Sequence, residues 1–173
     1  MTKNFPKIIS IFSGYFLALT IWTISSTLTY ALGTPAKSAL VFDHETSEMI
    51  LEKNPDIPIP PASMSKLMTL NMLFEALRQG QITLEDEFLV SRKASKKGGS
   101  KMFLREGEKV TIKDLILGII VLSGNDACIV AAEGLAGTEE EFSKRMTRRG
   151  KQLGLKNSTF KNSTGWPDPD HKM

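Results

Sequence analysis

Cysteine occurs once, at Cys128, and histidine twice, at His44 and His171, in a chain of 173 residues. A single thiol cannot close an internal disulfide, so an exported form of this protein must be stable without one. With one histidine in a turn-like stretch and the other close to the last residue, a serine–histidine–aspartate arrangement is disfavoured. Lysine is then the natural base for a nucleophilic serine. No H-E-x-x-H string and no cysteine–histidine cluster is present, so the expectation is no metal and no cofactor. Basic stripes with interleaved aromatics are also missing, which argues against nucleic acid as a partner. The one dense basic run, "SRKASKKGGSK" at Ser91–Lys101, contains glycines and reads as a solvated loop. Internal repeats and low-complexity tracts are absent.

Charge is missing from Ile8 to Ala36, after a start that carries Lys3 and Lys7. The apolar run ends in Ala31-Leu32-Gly33, small residues at the spacing a signal peptidase accepts. Residues 1–33 therefore read as a secretory signal to be left out of fold reasoning. The run nearly reaches membrane-spanning length, so an uncleaved anchor is the alternative. Either way the rest of the chain is exported. Removing the segment lowers Lys+Arg from 22 to 20 against 19 Asp+Glu, so the sequence pI of 9.0 overstates how basic the mature chain is.

Residues 34–173 have an ordinary globular composition for one modest domain. "SALVFDHETSEMILEKN" alternates as two short strands around a polar turn at His44–Ser47. The prolines of "PDIPIPPA" forbid regular structure and deliver the chain to a helix over Ser63–Gln79, stopped by Gly80. Apolar residues lie nearly all round that helix, which predicts burial. "TIKDLILGIIVLS" and "NDACIVAAEGLAG" read as two further buried helices joined at Ser123-Gly124-Asn125, with Cys128 a buried small hydrophobe. "TEEEFSKRMTRRGKQLG" reads as an amphipathic helix capped by Thr138, its acids at the positive end. Strands followed by a helical block predict an α+β domain, the helices packed on an antiparallel sheet.

Two motifs carry chemistry. "SMSK" places Lys66 one turn after Ser63 on the same helix face. An ammonium withdrawn from water tends to lose its proton, and the helix's positive end lowers its pKa further. A neutral amine beside a hydroxyl is a general base. The competing reading has Lys66 snorkelling to water while Ser63 merely caps the helix. A second S-x-x-K, Ser158–Lys161, lies in a polar segment where its lysine can point outward. "VLSGNDAC" supplies Ser123 and Asn125 at a break between apolar helices. These are either cleft-facing polar groups or a helix stop with Asn125 as N-cap.

Taken together, "PPASMSKLMT", "GGSKMFLREGEKV", "VLSGNDAC", "LGLKNSTFKNSTGWPD" and the closing histidine closely resemble the D-alanyl-D-alanine carboxypeptidases. These are the low-molecular-weight penicillin-binding proteins of the β-lactamase/transpeptidase superfamily, whose motif set includes S-x-x-K, S-x-N and K-T-G. The likeness runs from about Ser38 to His171. It implies that Ser63 attacks the carbonyl between two terminal D-alanines of a peptidoglycan stem peptide and that Lys66 takes its proton. Ser123 would relay a proton to the departing D-alanine, Asn125 would hold the substrate's amide, and water would hydrolyse the Ser63 ester. Penicillins would trap the same serine. The resemblance also implies a location in the periplasm or on the outer face of the bacterial cytoplasmic membrane, with membrane association open.

The third motif, K-T-G, is absent. "NSTG" at Asn162–Gly165 has Ser163 where lysine belongs, and matches instead a turn that precedes K-T-G in the family. The family's last strands and smaller C-terminal domain would lie beyond Met173. The expectation is an N-terminal fragment, poorly folded and inactive alone, with apolar surface exposed where sheet is missing. Two rival readings stand beside this one. A class A β-lactamase would show aspartate in place of Gly124 and a deacylating loop glutamate, neither of which is found. A truncated, non-catalytic peptidoglycan-binding paralogue would account for the missing K-T-G.

Overall fold

The computed structural model describes residues 33–173. The expected export segment lies outside them except for Gly33. Among the described residues no helix is long and apolar enough to cross a membrane. The chain divides into two compact units, one ending at Asp56 and one spanning Ile57–Met173.

In the first unit, β1 (Ala39–Phe42) pairs antiparallel with β2 (Met49–Lys53), with a bulge between Val41 and Phe42. The turn forms where the polar residues lie. Asp43 Oδ1 accepts the amides of Glu45 at 2.9 Å and Thr46 at 2.8 Å, the side-chain mimic of a backbone turn that aspartate favours.

The second unit is a helical block. A single 3-10 turn, Ala62–Ser65, leads into α1 (Lys66–Arg78). At the far end Gly80, with φ +66°, donates its amide to Leu77, and Gln81 donates to Ala76. This paired closure needs a residue in the left-handed region, which is why the helix stops at glycine. Next come β3 (Glu87–Leu89), the short α2 (Arg92–Ser95) and β4 (Lys109–Thr111), the two strands pairing antiparallel. Then follow α3 (Ile112–Leu122), α4 (Asn125–Ala136) and α5 (Glu139–Gln152). Thr111 and Thr138 cap α3 and α5 by accepting the amides of Asp114 and Glu141, each at 3.1 Å.

The central element is α4. Every residue from Asn125 to Ala132 is buried, so its apolar run is enclosed on all sides by the other helices and strands. β3 rests on it closely, because a Cβ at Gly134 would overlap the Phe88 ring. Leu73 of α1, Leu115 and Ile119 of α3, and Val90 complete this core, while Phe142 and Met146 of α5 form a second one with Met68 and Phe160. Arg149 of α5 donates to both carboxylate oxygens of Glu75 of α1, at 2.7–3.0 Å.

Two expectations need correcting. The helix starting near Ser63 is buried on one face only: Met68, Thr69, Leu73 and Ala76 are inside, while Leu67 is 69% and Phe74 49% exposed. Within this unit α3, α4 and α5 and the segment around Phe160 and Ser163 flank it, and they leave Leu67 and Phe74 uncovered. The Ser91–Lys101 run is not all loop. Ser91 accepts the amide of Ala94 at 3.0 Å, and the burial of Ala94 anchors the resulting turn of helix. The α+β class itself is observed, its strands forming two separate antiparallel pairs among the described residues.

Candidate active site

The nucleophile candidate sits where proline chemistry puts it. Pro60 and Pro61 cannot extend a ladder, and Pro61, with φ −75°, is pre-set for the start of a helical turn. The turn that follows is strained at one point, for Ala62 has φ +47° without being glycine. Ser63 is exposed on this turn, and Lys66 begins the α-helix proper. Neither helical segment shows a side-chain cap, so Ser63 does not act as one.

Instead Ser63 Oγ lies 2.9 Å from Lys66 Nζ and 3.3 Å from Ser123 Oγ. Lys66 is only 5% exposed, so it does not snorkel to water. Burial pulls its ammonium below the ordinary lysine value of 10.5. The one opposing influence is Cys128, whose thiol burial pushes up to about 12, so that it carries no charge at neutral pH. Desolvation therefore governs the amine. Once neutral, its lone pair points at a hydroxyl within proton-transfer distance.

Ser123 reaches the pair from the break between α3 and α4. It ends α3 in the left-handed region, φ +52° and ψ +38°, and this reversal turns its hydroxyl toward Ser63. Ser63, Lys66 and Ser123, with Leu67, Leu70, Ile119 and Ile120, line a cleft of about 430 Å³. A larger cavity of about 550 Å³ opens on another face of α3, beside Met102, Lys109 and Asp114, and holds none of the three.

Asn125 is placed differently from the other three. Its Nδ2 donates to Gly98 O at 2.8 Å and its backbone amide to Ser100 O at 2.8 Å, so it ties the Lys97–Lys101 segment to α4. Gly99 must lack a side chain there, since a Cβ would come within 2.7 Å of that amide nitrogen. The N-cap of α4 is Gly124, without a side-chain bond, so Asn125 does not cap it.

Several polar residues around the site have partners that only the structure reveals. Asp126, fully buried, accepts the amides of Met102 at 3.0 Å, Leu104 at 3.1 Å and Ala127 at 2.9 Å. Between Met102 and Leu104 sits Phe103, held at φ +60°. Glu139, one of the acids at the positive end of α5, is buried. It accepts from Ser163 N at 3.0 Å and Ser163 Oγ at 2.8 Å and pairs with Lys93 at 2.9 Å. His171, 2% exposed, lies with Nε2 2.8 Å from Ser65 Oγ. The available signal was an acid adjoining an apolar run at Asp126, and a histidine after "DPD" at His171. Of the remaining candidates, His44 occupies the exposed turn before β2, and Lys161 is half-exposed near Asp170.

Residues 26–173 match the sequence pattern of a family described as D-alanyl-D-alanine carboxypeptidase. The chain is 43% identical to D-alanyl-D-alanine carboxypeptidase DacF of Bacillus subtilis, over 83% of this chain and 37% of that protein. To DacC of Escherichia coli it is 36% identical, over 78% of this chain and 35% of the relative. The crystal structure of the carboxypeptidase DacD from Francisella tularensis superposes with a TM-score of 0.80 at 32% identity, covering 83% of this chain and 35% of that one. Penicillin-binding protein D2 of Listeria monocytogenes, solved in an ampicillin-bound form, superposes at 0.71 with 26% identity, over 82% of this chain and 57% of its own. The chain thus spans a little over a third of the length of these two curated relatives.

Proposed function

Because the chain belongs to the D-alanyl-D-alanine carboxypeptidase family, we propose that it is the catalytic-serine portion of an enzyme that removes the terminal D-alanine from peptidoglycan stem peptides. The observation that carries this reading is the 2.9 Å approach of a buried Lys66 amine to Ser63 Oγ. Lys66, whose pKa desolvation lowers, accepts in its neutral form the Ser63 proton as Oγ attacks the carbonyl between the two D-alanines. The tetrahedral oxyanion draws on the Ser63 amide at the helix start as one donor. Collapse breaks the peptide bond, and the leaving amine receives a proton through Ser123, whose Oγ stands 3.3 Å from Ser63 Oγ. A water molecule then hydrolyses the Ser63 ester and restores the hydroxyl.

Asn125 contributes in two ways. Its Nδ2 holds Gly98, and its Oδ1 remains to accept from the substrate's amide. A β-lactam presents a carbonyl in the same position and acylates Ser63. The substrate lies outside the cytoplasmic membrane, in keeping with the signal-like residues 1–33, and the working location is the periplasm or the outer face of the cytoplasmic membrane.

The test is labelling with a fluorescent penicillin followed by peptide mapping. The expected result is one adduct on Ser63 that Ser63→Ala abolishes, with slow release rather than rapid β-lactam turnover. No adduct on Ser63 of the wild type overturns the proposal, and rapid turnover assigns a β-lactamase instead.

A further inference from the structure

Ser65 and His171 take no part in the proton transfers above, yet they meet beneath the catalytic turn. Ser65 stands between Ser63 and Lys66 in sequence and is fully buried, so its hydroxyl points into the protein while that of Ser63 points out. Its partner is His171, 106 residues away, with Nε2 at 2.8 Å. The Lys161 amide donates to Nδ1 at 3.4 Å, which leaves the ring proton on Nε2 to be donated to Ser65 Oγ. The Phe160 ring meets the imidazole edge-on at 5.6 Å and fixes its plane. Burial lowers the imidazole's pKa from its usual 6.5, in keeping with a neutral ring at this position.

The turn above needs such a support. Ala62 is held at φ +47°, a conformation an L-residue keeps only when its surroundings impose it. The segment that imposes it is the "NSTG" string and the residues after it. Asn162 Oδ1 accepts the amides of Thr164, Gly165 and Trp166 at 3.1, 2.8 and 3.0 Å, which folds the string into a compact turn. Gly165, at φ +79°, then presses on the Ala62 carbonyl so closely that a Cβ would overlap it. Thr69 of α1 donates to Ser163 O at 2.7 Å and binds the same turn to the helix one residue row further on.

We propose that His171 is a positioning residue for the nucleophile: through its bond to Ser65 Oγ it locks the Ala62–Ser65 turn and so holds Ser63 against Lys66. The inference rests on the acyl-enzyme reading above. It assigns a role to the closing histidine and to "NSTG", neither of which the proton transfers use. The lysine–serine pair is local to one turn, but the orientation of that turn is set from the other end of the chain.

The test is the first-order acylation rate at saturating fluorescent penicillin, measured on folded protein for His171→Phe, His171→Gln, Ser65→Ala and the double variant Ser65→Ala/His171→Phe. His171→Phe keeps the ring packing on Phe160 and loses the bond, and should slow acylation by about ten- to a hundredfold, the scale of a misplaced reacting group. The half-saturating penicillin concentration should stay within about twofold, because the cleft walls are untouched. His171→Gln, which returns an N–H near the Nε2 position, should recover most of the rate. Ser65→Ala should match His171→Phe, and the double variant should be no slower than either single one, since both remove the same bond. Additive losses, or folded His171→Phe protein that acylates at the wild-type rate, overturn the inference alone. A wild-type protein that takes no label overturns the acyl-enzyme reading and this inference with it.

Discussion

Replacing Lys66 with methionine should separate activity from stability. The side chain is 5% exposed and its amine has a hydroxyl, not a carboxylate, beside it. A cation there is taken out of water without a counter-charge, and the nearby Cys128 thiol, with its pKa near 12, supplies none at neutral pH. Methionine has nearly the same length and flexibility and fills the same volume without a charge. Acylation of Ser63 should fall by about 10²- to 10⁴-fold, the usual worth of a positioned general base. Stability should hold or rise by about 1 kcal/mol, as happens when a functional group that strains the fold is removed.

The sign with pH follows from the direction of the shift. The folded-state pKa of Lys66 lies below its ordinary 10.5, so the unfolded chain binds the extra proton between the two values. Wild-type stability attributable to Lys66 therefore rises with pH across that window. The advantage of Lys66→Met should be full below the folded pKa, shrink as pH climbs toward 10.5, and be gone above it. Urea denaturation of both proteins at several pH values, beside penicillin-acylation kinetics, measures the two quantities. Wild-type acylation by the methionine variant would refute the assignment of the base. A stability gap in favour of lysine, flat with pH, would refute the account of its burial.

Two further perturbations test the surrounding architecture. Asp126→Ala removes the acceptor of three backbone amides, two of them holding the Met102–Leu104 segment in which Phe103 sits at φ +60°. The loss should be about 3–5 kcal/mol by urea denaturation, since each orphaned buried donor costs about 1–3 kcal/mol, and an unchanged midpoint would refute the role. Ser123→Gly relieves a non-glycine residue at φ +52° and deletes the hydroxyl 3.3 Å from Ser63 Oγ. It should raise stability by up to about 1 kcal/mol while slowing acylation, and faster acylation would remove Ser123 from the mechanism.

The local geometry was legible in the sequence. Spacing of three residues on a helical turn puts Lys66 on the same face as Ser63, because helical geometry makes such residues neighbours. Likewise the cap at Thr138, the stop at Gly80 and the break at Ser123-Gly124 are decided by backbone chemistry within a few residues. Which face of α1 would be covered was not legible. Its apolar residues run nearly all round, and burial of Leu73 but not Leu67 depends on where α4 and α5 come to lie. The buried acids Asp126 and Glu139 were hidden for the same reason: a carboxylate next to polar neighbours reads as solvated until the amides it accepts, tens of residues away, are placed.

By itself, then, the order of residues determined the pairing of Ser63 with Lys66 along one turn, the helix ends and the family. These rest on interactions that close within one turn of chain or on motif strings. Only the tertiary structure decided that Ser123 reaches Ser63 across sixty residues, that the amide of Asn125 is turned to Gly98, and that His171 props Ser65. Such contacts join segments whose separation along the chain carries no record of their separation in space, so packing alone brings them together.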